Sequence, residues 1–348
     1  MGRLLSLFVA TAALACTPPR AAVASPASAA RDGELRVAEL GTCALESGAT
    51  IDGCRVGYRT FGKLDAARSN VVLFPTYFTG TTASLLDVVP ERLVDTERFF
   101  LVLVDALGDG VSSSPSTSRT QPRLRFPTFT IRDMVEAQRR LLREVLGVRT
   151  LHAVVGISMG GMQAYEWAVS HPEEVSRIVP IVGTPRLTTQ DLLLWSAELS
   201  VLDGSKAYAS GDYALPRPPI PALQQLHWMM LSTPAQRNAE TSRAAFPAWL
   251  ATRSNDTSFD WNDWRRQLEA MLAHDVARGG DLDAAARRVK AKGLVVVAEQ
   301  DHMVNPEPSK AFARAMQAQL LVLPGPCGHA APSCDEALAP AVRRFLAE

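Results

Sequence analysis

Six short apolar runs, separated largely by stretches of helical periodicity, restrict this chain more than any other feature. They are Asn70–Pro75 (NVVLFP), Phe99–Ala106 (FFLVLVDA), Leu151–Gly156 (LHAVVG), Ser176–Gly183 (SRIVPIVG), Gly293–Glu299 (GLVVVAE) and Ala318–Gly325 (AQLLVLPG). Near-continuous apolar runs of this length are what strands covered on both faces require, as in a parallel sheet flanked by helices. The segment Thr130–Gly147 places Ile131, Met134, Val135, Leu141, Leu142, Val145 and Leu146 on one side, with Thr130 as an N-cap and Gly147 as a stop. Further helical patterns are SMGGMQAYEWAVSH, PEPSKAFARAMQA and SCDEALAPAVRRFLAE. Strand–helix alternation predicts an α/β fold with a mostly parallel sheet. Ahead of it, Glu34–Phe61 alternates and turns as a β-hairpin, with Cys43 and Cys54 near the turn.

One region breaks the alternation. From about Arg186 to Gly280 there is no strand-like run, and Leu, Trp and Gln dominate in LLLWSAEL, LQQLHWMML and WNDWRRQLEAMLAHDV. The prolines of LPRPPIP divide it. A crossover between parallel strands needs only about a dozen residues, so residues 186–280 read as a helical cap inserted into a core formed by 31–185 and 281–348. Trp195 and Trp228 of this cap either line an apolar pocket or pack the cap itself. The chain carries 36 basic and 36 acidic side chains, which leaves no electrostatic footprint for nucleic acid.

At the centre lies AVVGISMGGMQAYEWA, a buried-strand pattern that becomes a helix through Gly156-Ile157-Ser158-Met159-Gly160. A serine between two glycines at a strand-to-helix turn is a nucleophile elbow: the tight turn lifts the hydroxyl above the sheet at a helix N-terminus. A serine hydroxyl needs a base. The order expected for this turn is Ser, then an acid, then His, each beyond a strand end. Asp301 follows the GLVVVA run and His329 follows LLVLPGP. Asp301 is favoured as the acid over Glu299, which sits closer to the strand end. Ser158, His329 and Asp301 therefore read as nucleophile, general base and the acid that orients it. His152, His171, His227 and His274 take structural readings, and the facing of His302 is open. Oxyanion donors are expected from the N–H of Met159, next after the nucleophile, and from the loop TYFTGTT (Thr76–Thr82), with Phe78 first and Tyr77 second. No metal or cofactor is expected.

The N-terminus reads as an export signal over residues 1–30. Arg3 precedes an apolar run from Leu4 to Ala15, then small residues with cleavage after Ala24 or Ala29. A competing reading makes Cys16 a lipoprotein cysteine and so a lipid anchor. The remaining cysteines form two close pairs, Cys43 with Cys54 and Cys327 with Cys334, which in an exported chain suggest disulfides. Periplasmic or secreted location follows.

The stretches GYRTFGKLDAARSNVVLFPTYFTG, LVDALGDGVSSSPS, FPTFTIRDMVEAQRRLLREVLGV and VVGISMGGMQAYEWAVSHPEEVSRIVPIVGTPR, with QLEAMLAHDV, resemble the homoserine O-acetyltransferase branch of the α/β-hydrolase superfamily. The resemblance implies an α/β-hydrolase fold with a helical lid, a Ser–Asp–His triad on Ser158, Asp301 and His329, and ping-pong acyl transfer. Phe78 and Met159 fall at the oxyanion positions. Three departures are visible: YFTG, preceded by Thr76, replaces a transferase-like HALTG loop; Ile157 stands where the elbow has a second glycine; and the cap shows no acceptor-binding arginine. With export, these turn the expectation toward a serine hydrolase acting on small esters. Acyl transfer from acyl-CoA to an alcohol is the alternative. A homodimer through the cap is a further expectation.

Overall fold

The computed structural model describes residues 32–348, which form one compact unit. The export segment and Cys16 lie outside the described residues. Strands β1 (Arg36–Ala44) and β2 (Thr50–Phe61) make the expected hairpin, pairing Arg36 with Tyr58 and Ala38 with Val56, and a Cys43–Cys54 disulfide ties them together. The remaining strands are β3 (Val71–Pro75), β4 (Phe100–Val104), β5 (Ala153–Ile157), β6 (Arg177–Ile181), β7 (Lys292–Ala298) and β8 (Gln319–Leu323). They complete one eight-stranded sheet in the order β1-β2-β4-β3-β5-β6-β7-β8. The pairs β1/β2 and β2/β4 are antiparallel, and every other pair is parallel.

Each apolar run falls on one of these strands, and their continuity has a direct cause. Leu73, Val102, Val154 and Ile178 enter one apolar cluster, while Val72, Phe74, Leu101, Leu103, Val155 and Val179 enter another. Successive residues of a strand point to opposite faces, so both faces need apolar side chains. Strand β8 departs from the expected buried strand: it is the sheet edge, and Leu320 and Val322 are exposed.

Helix α1 (Ile131–Arg140) starts at a capping box in which Thr130 Oγ1 accepts from the Asp133 N–H and the Asp133 carboxylate accepts from the Thr130 N–H. It loosens into a π turn over Leu141–Val145 and ends at Gly147, whose φ is +64°. Helix α2 (Met159–Ser170) is buried almost along its whole length. Between β6 and β7 the chain runs through α3 (Thr189–Gly204), α4 (Pro221–Leu231), α5 (Pro234–Glu240), α6 (Phe246–Ser254), α7 (Trp261–Leu272) and α8 (Leu282–Arg287). After β7 come α9 (Glu307–Ala315), α10 (Ala331–Cys334) and α11 (Leu338–Ala347).

The inserted helices are rooted in the sheet layer. Trp195, Trp261, Trp264 and Leu268 belong to the same apolar cluster as Val154. From α7, Arg266 Nε donates to the Phe126 carbonyl at 3.0 Å and Gln267 Nε2 to the Leu107 carbonyl at 3.2 Å. Helix α7 is thus a wall of the core as much as part of the helices between β6 and β7.

Candidate active site

Ser158 sits between β5 and α2 with φ +55° and ψ −119°, a conformation that is strained for any residue with a Cβ. The two flanking glycines are required by close approach. A Cβ on Gly156 would stand 2.2 Å from the Gly160 carbonyl oxygen, and one on Gly160 would stand 2.7 Å from the Pro75 carbonyl oxygen. Backbone therefore packs on backbone on both sides of the serine, which holds its hydroxyl at the carboxyl end of the sheet.

His329 comes from a short turn, Gly328–Ala330, after β8, and Asp301 from the loop after β7. The structure brings both to Ser158. His329 Nε2 lies 2.8 Å from Ser158 Oγ, and His329 Nδ1 lies 2.7 Å from Asp301 Oδ2. The other carboxylate oxygen, Oδ1, accepts the Met303 and Val304 N–H groups at 2.9 Å each. Asp301 is fixed by its own loop and aimed by that loop at the imidazole. Glu299 is exposed, as is His302. The other histidines are held elsewhere: His152 against the Leu346 carbonyl, His171 against Glu136, His227 against Glu198 and His274 against the Thr184 carbonyl.

Cys327 and Cys334 form a disulfide across the turn that carries His329. Helix α5 buttresses the same turn, because its N-cap Thr233 donates from Oγ1 to the Pro326 carbonyl.

The loop Thr76–Thr82 is anchored through Thr76, Thr79 and Thr82. The Thr76 carbonyl accepts from Gln163 Nε2 at 3.1 Å, the Thr79 N–H donates to Gln267 Oε1 at 3.0 Å, and the Thr82 N–H donates to Asp105 Oδ1 at 2.6 Å. Between the first two anchors, the Tyr77 and Phe78 N–H groups find no acceptor among the described residues. The Met159 N–H is likewise free, as the first N–H groups of a helix are. The Tyr77, Phe78 and Met159 N–H groups are thus three backbone donors without an acceptor among the described residues. The Phe78 side chain packs under the inserted helices, with ring centroids 5.0 Å from Trp264, 5.7 Å from His227 and 6.1 Å from Trp195. Trp195 is buried there, whereas Trp228 faces α6 and meets Trp249.

Several supporting residues escaped the sequence reading. Gln163 is one link of a buried chain. Trp167 Nε1 donates to Gln138 Oε1 at 2.8 Å, Gln138 Nε2 to Gln163 Oε1 at 2.5 Å, and Gln163 Nε2 to Thr76. Its one signal in the sequence is Gln138, a polar residue set in an apolar helix stripe between Met134 and Leu142. Asp105 grips Thr82 through both carboxylate oxygens. Burial raises the Asp105 carboxyl and raises that of Asp109 well above the usual range, where the nearby Asp105 charge adds to the effect. Asp263 of α7 accepts from the Ser116 N–H at 2.9 Å and from its hydroxyl at 2.5 Å. Burial, and then the neighbouring Asp260, push its carboxyl up to about 8 against the opposing pull of Ser116.

Residues 71–332 match the alpha/beta hydrolase fold family. A probable esterase of Corynebacterium glutamicum is 30% identical over 287 residues, which span 77% of this chain and 81% of that protein. A homoserine O-acetyltransferase of Trichormus variabilis is 30% identical over 311 residues, 82% of this chain and 86% of that one. Among solved structures, an acetylester hydrolase from Corynebacterium glutamicum matches with a TM-score of 0.81 at 28% identity, covering 90% of this chain and 95% of its own. With its sheet order, its strained serine turn and this match, the chain belongs to the alpha/beta hydrolase fold family, in the branch that includes the homoserine O-acetyltransferases.

Proposed function

We propose that this enzyme is a serine esterase that cleaves small esters through an acyl-enzyme on Ser158. The observation that carries the reading is the unbroken line from Ser158 Oγ through the His329 imidazole to the Asp301 carboxylate. His329 Nε2 takes the hydroxyl proton as Ser158 attacks the ester carbonyl, and Asp301 stabilises the imidazolium that forms. The carbonyl oxygen becomes an oxyanion and accepts hydrogen bonds from the Met159 and Phe78 N–H groups, donors of a kind worth about 3–4 kcal/mol each in the transition state. The imidazolium returns its proton to the leaving alcohol. Water then enters, activated by the same imidazole, and releases the acid.

The helices between β6 and β7 act in this reading as the cap over the site, with Phe78, Trp195 and Trp264 closing its roof. A short acyl group is in keeping with the acetylester hydrolase among the similar structures. Export of the enzyme is part of the proposal and is supported by its two disulfides. A second reading, acyl transfer to an alcohol, is favoured by the similarity to homoserine O-acetyltransferases. Both readings share the acyl-enzyme and differ in what attacks it.

The test is an ester panel run with and without acetyl-CoA and homoserine. Hydrolysis of short acetates with no gain from either addition is expected. A fluorophosphonate should label Ser158, and Ser158→Ala should lose both label and turnover while keeping its fold. An active Ser158→Ala variant would overturn the nucleophile, and CoA-dependent acetylation of homoserine would replace hydrolysis by transfer.

A further inference from the structure

A cavity of about 440 Å³ opens between α4, α5 and α6, and none of Ser158, Asp301 or His329 lines it. Three aromatic rings form its surface. Trp228 and Trp249 meet edge to face at 6.2 Å, and Phe246 stacks on Trp249 at 6.0 Å. Two guanidinium groups lie over them, Arg237 at 4.3 Å from the Trp249 centroid and Arg253 at 4.2 Å from that of Trp228.

No carboxylate lines this cavity. Arg237 reaches Glu240 at 3.5 Å, but Glu240 is largely exposed, so the pair is worth little. Arg253 has no carboxylate within ion-pair distance among the described residues. Stacking on tryptophan occupies the faces of both guanidinium groups; Arg237 Nη2 donates to Ser232 Oγ at 3.0 Å, whereas the N–H edge of Arg253 has no acceptor among the described residues. A concave apolar surface with a few placed polar groups is the usual form of a small-molecule site. The charge also argues against a second copy of the chain as the occupant, because a two-fold contact would bring two identical basic linings together.

We propose that this cavity is a binding site for an apolar monoanion, a medium-chain or aryl carboxylate. Its hydrocarbon part rests on Trp228, Trp249 and Phe246, and its carboxylate meets the edge of Arg253. The site adjoins the reaction centre without being part of it. Thr233 stands on its rim and holds the turn of His329 through Pro326. A neighbouring groove of about 370 Å³ shares Met229, Ser232 and Pro234 and continues to Asp301 and His302.

Calorimetric titration of the full chain with sodium octanoate and with 1-octanol, read alongside tryptophan fluorescence, tests this. Octanoate should bind saturably and about tenfold more tightly than the alcohol, the worth of one charge-assisted hydrogen bond. Arg253→Gln should erase that difference, Arg253→Lys should restore part of it, and Trp249→Leu should weaken both ligands. Protein blocked at Ser158 by fluorophosphonate should bind octanoate as before. Four results would overturn the proposal: no saturable binding, equal binding of the alcohol, unchanged affinity in Arg253→Gln, or loss of binding on blocking Ser158. Because the blocked protein is scored by binding alone, an active Ser158→Ala variant would sink the esterase reading and leave this one standing.

Discussion

Replacing Gln163 by Leu would cut the tether between α2 and the loop of Phe78. The side chain is fully buried and close to leucine in volume, so the change is chiefly one of hydrogen bonds. Three groups lose a partner: the Thr76 carbonyl, the Gln138 Nε2 amide and the Met159 carbonyl, and the last, being inside α2, keeps the helical N–H four residues on. Each buried polar group left unsatisfied costs about 1–3 kcal/mol. The better burial of an apolar side chain offsets part of this, so a net loss of about 1–5 kcal/mol in unfolding free energy is expected. The effect on turnover has a separate origin. Thr76 precedes Phe78 by two residues; its N–H and hydroxyl stay bonded to Val104 and Ala106, so releasing its carbonyl loosens the proposed donor N–H of Phe78 without freeing the loop. Complete loss of an oxyanion donor costs about 10²–10³ in kcat, so partial misplacement should cost about 10- to 100-fold, with KM changed little.

Gln138→Leu is the control. It removes the partners of Trp167 Nε1 and Gln163 Oε1, again two buried groups, but leaves the bond from Gln163 to Thr76 in place. Urea unfolding should show the two variants destabilised alike, while kcat on a short acetate ester should fall only for Gln163→Leu. Equal losses of kcat in both variants, or a normal kcat in Gln163→Leu, would refute the idea that this bond positions Phe78.

Three further outcomes are expected. Asp301→Asn should lower kcat on the order of 10⁴-fold by favouring the wrong imidazole tautomer, while Glu299→Gln, exposed and distant from His329 in its contacts, should leave it normal; the reverse pattern in steady-state kinetics would overturn the acid assignment. Asp263 keeps its proton in the folded state up to about pH 8, whereas its unfolded carboxyl ionises near 3.9. Its contribution to stability is therefore full below about pH 4, declines by up to about 1.4 kcal/mol per pH unit as pH rises, and is lost above about pH 8. Asp263→Asn should shrink the difference between urea unfolding at pH 5 and at pH 8, and an unchanged difference would count against the buried-proton account. Reducing Cys327–Cys334, whose Cys334 is exposed, should lower kcat by about tenfold or more by loosening the His329 turn, and a Cys43→Ser/Cys54→Ser variant should respond to reductant in the same way.

The sheet was legible because its physics is local. A strand covered on both faces needs an apolar residue at nearly every position, and each of the six runs became a strand. The serine turn was legible for the same reason, since Gly156 and Gly160 are dictated by contacts within a few residues of Ser158 and by one neighbouring strand. The edge position of β8 was not legible, because strand order is set by pairing between distant segments. The Gln138–Gln163–Thr76 chain was hidden for a related reason. A glutamine in an α-helix reads as a surface residue unless its stripe is examined, and its partners lie 25 and 87 residues apart in sequence.

The inserted helices mark where local pattern stops informing function. Their richness in Trp and Met announced apolar packing, yet it gave Trp195 and Trp228 the same reading, and the structure separates them. Trp195 is buried with Phe78, whose N–H has no acceptor among the described residues; Trp228 belongs to the outer cavity with Trp249 and Arg253. The distinction depends on which side of α4 and α3 meets α7, and α7 is fixed by Arg266 and Gln267 reaching back to loops 140 and 160 residues earlier. Because Gln267 also receives the Thr79 N–H, the helix that packs on Phe78 is the helix that holds the loop of the proposed oxyanion donors. In the proposed mechanism, acyl-pocket shape and donor position would then be coupled through one side chain. A change of substrate range made by altering α7 therefore carries a cost in kcat, whereas a change at Trp195 alters the roof without touching that hydrogen bond.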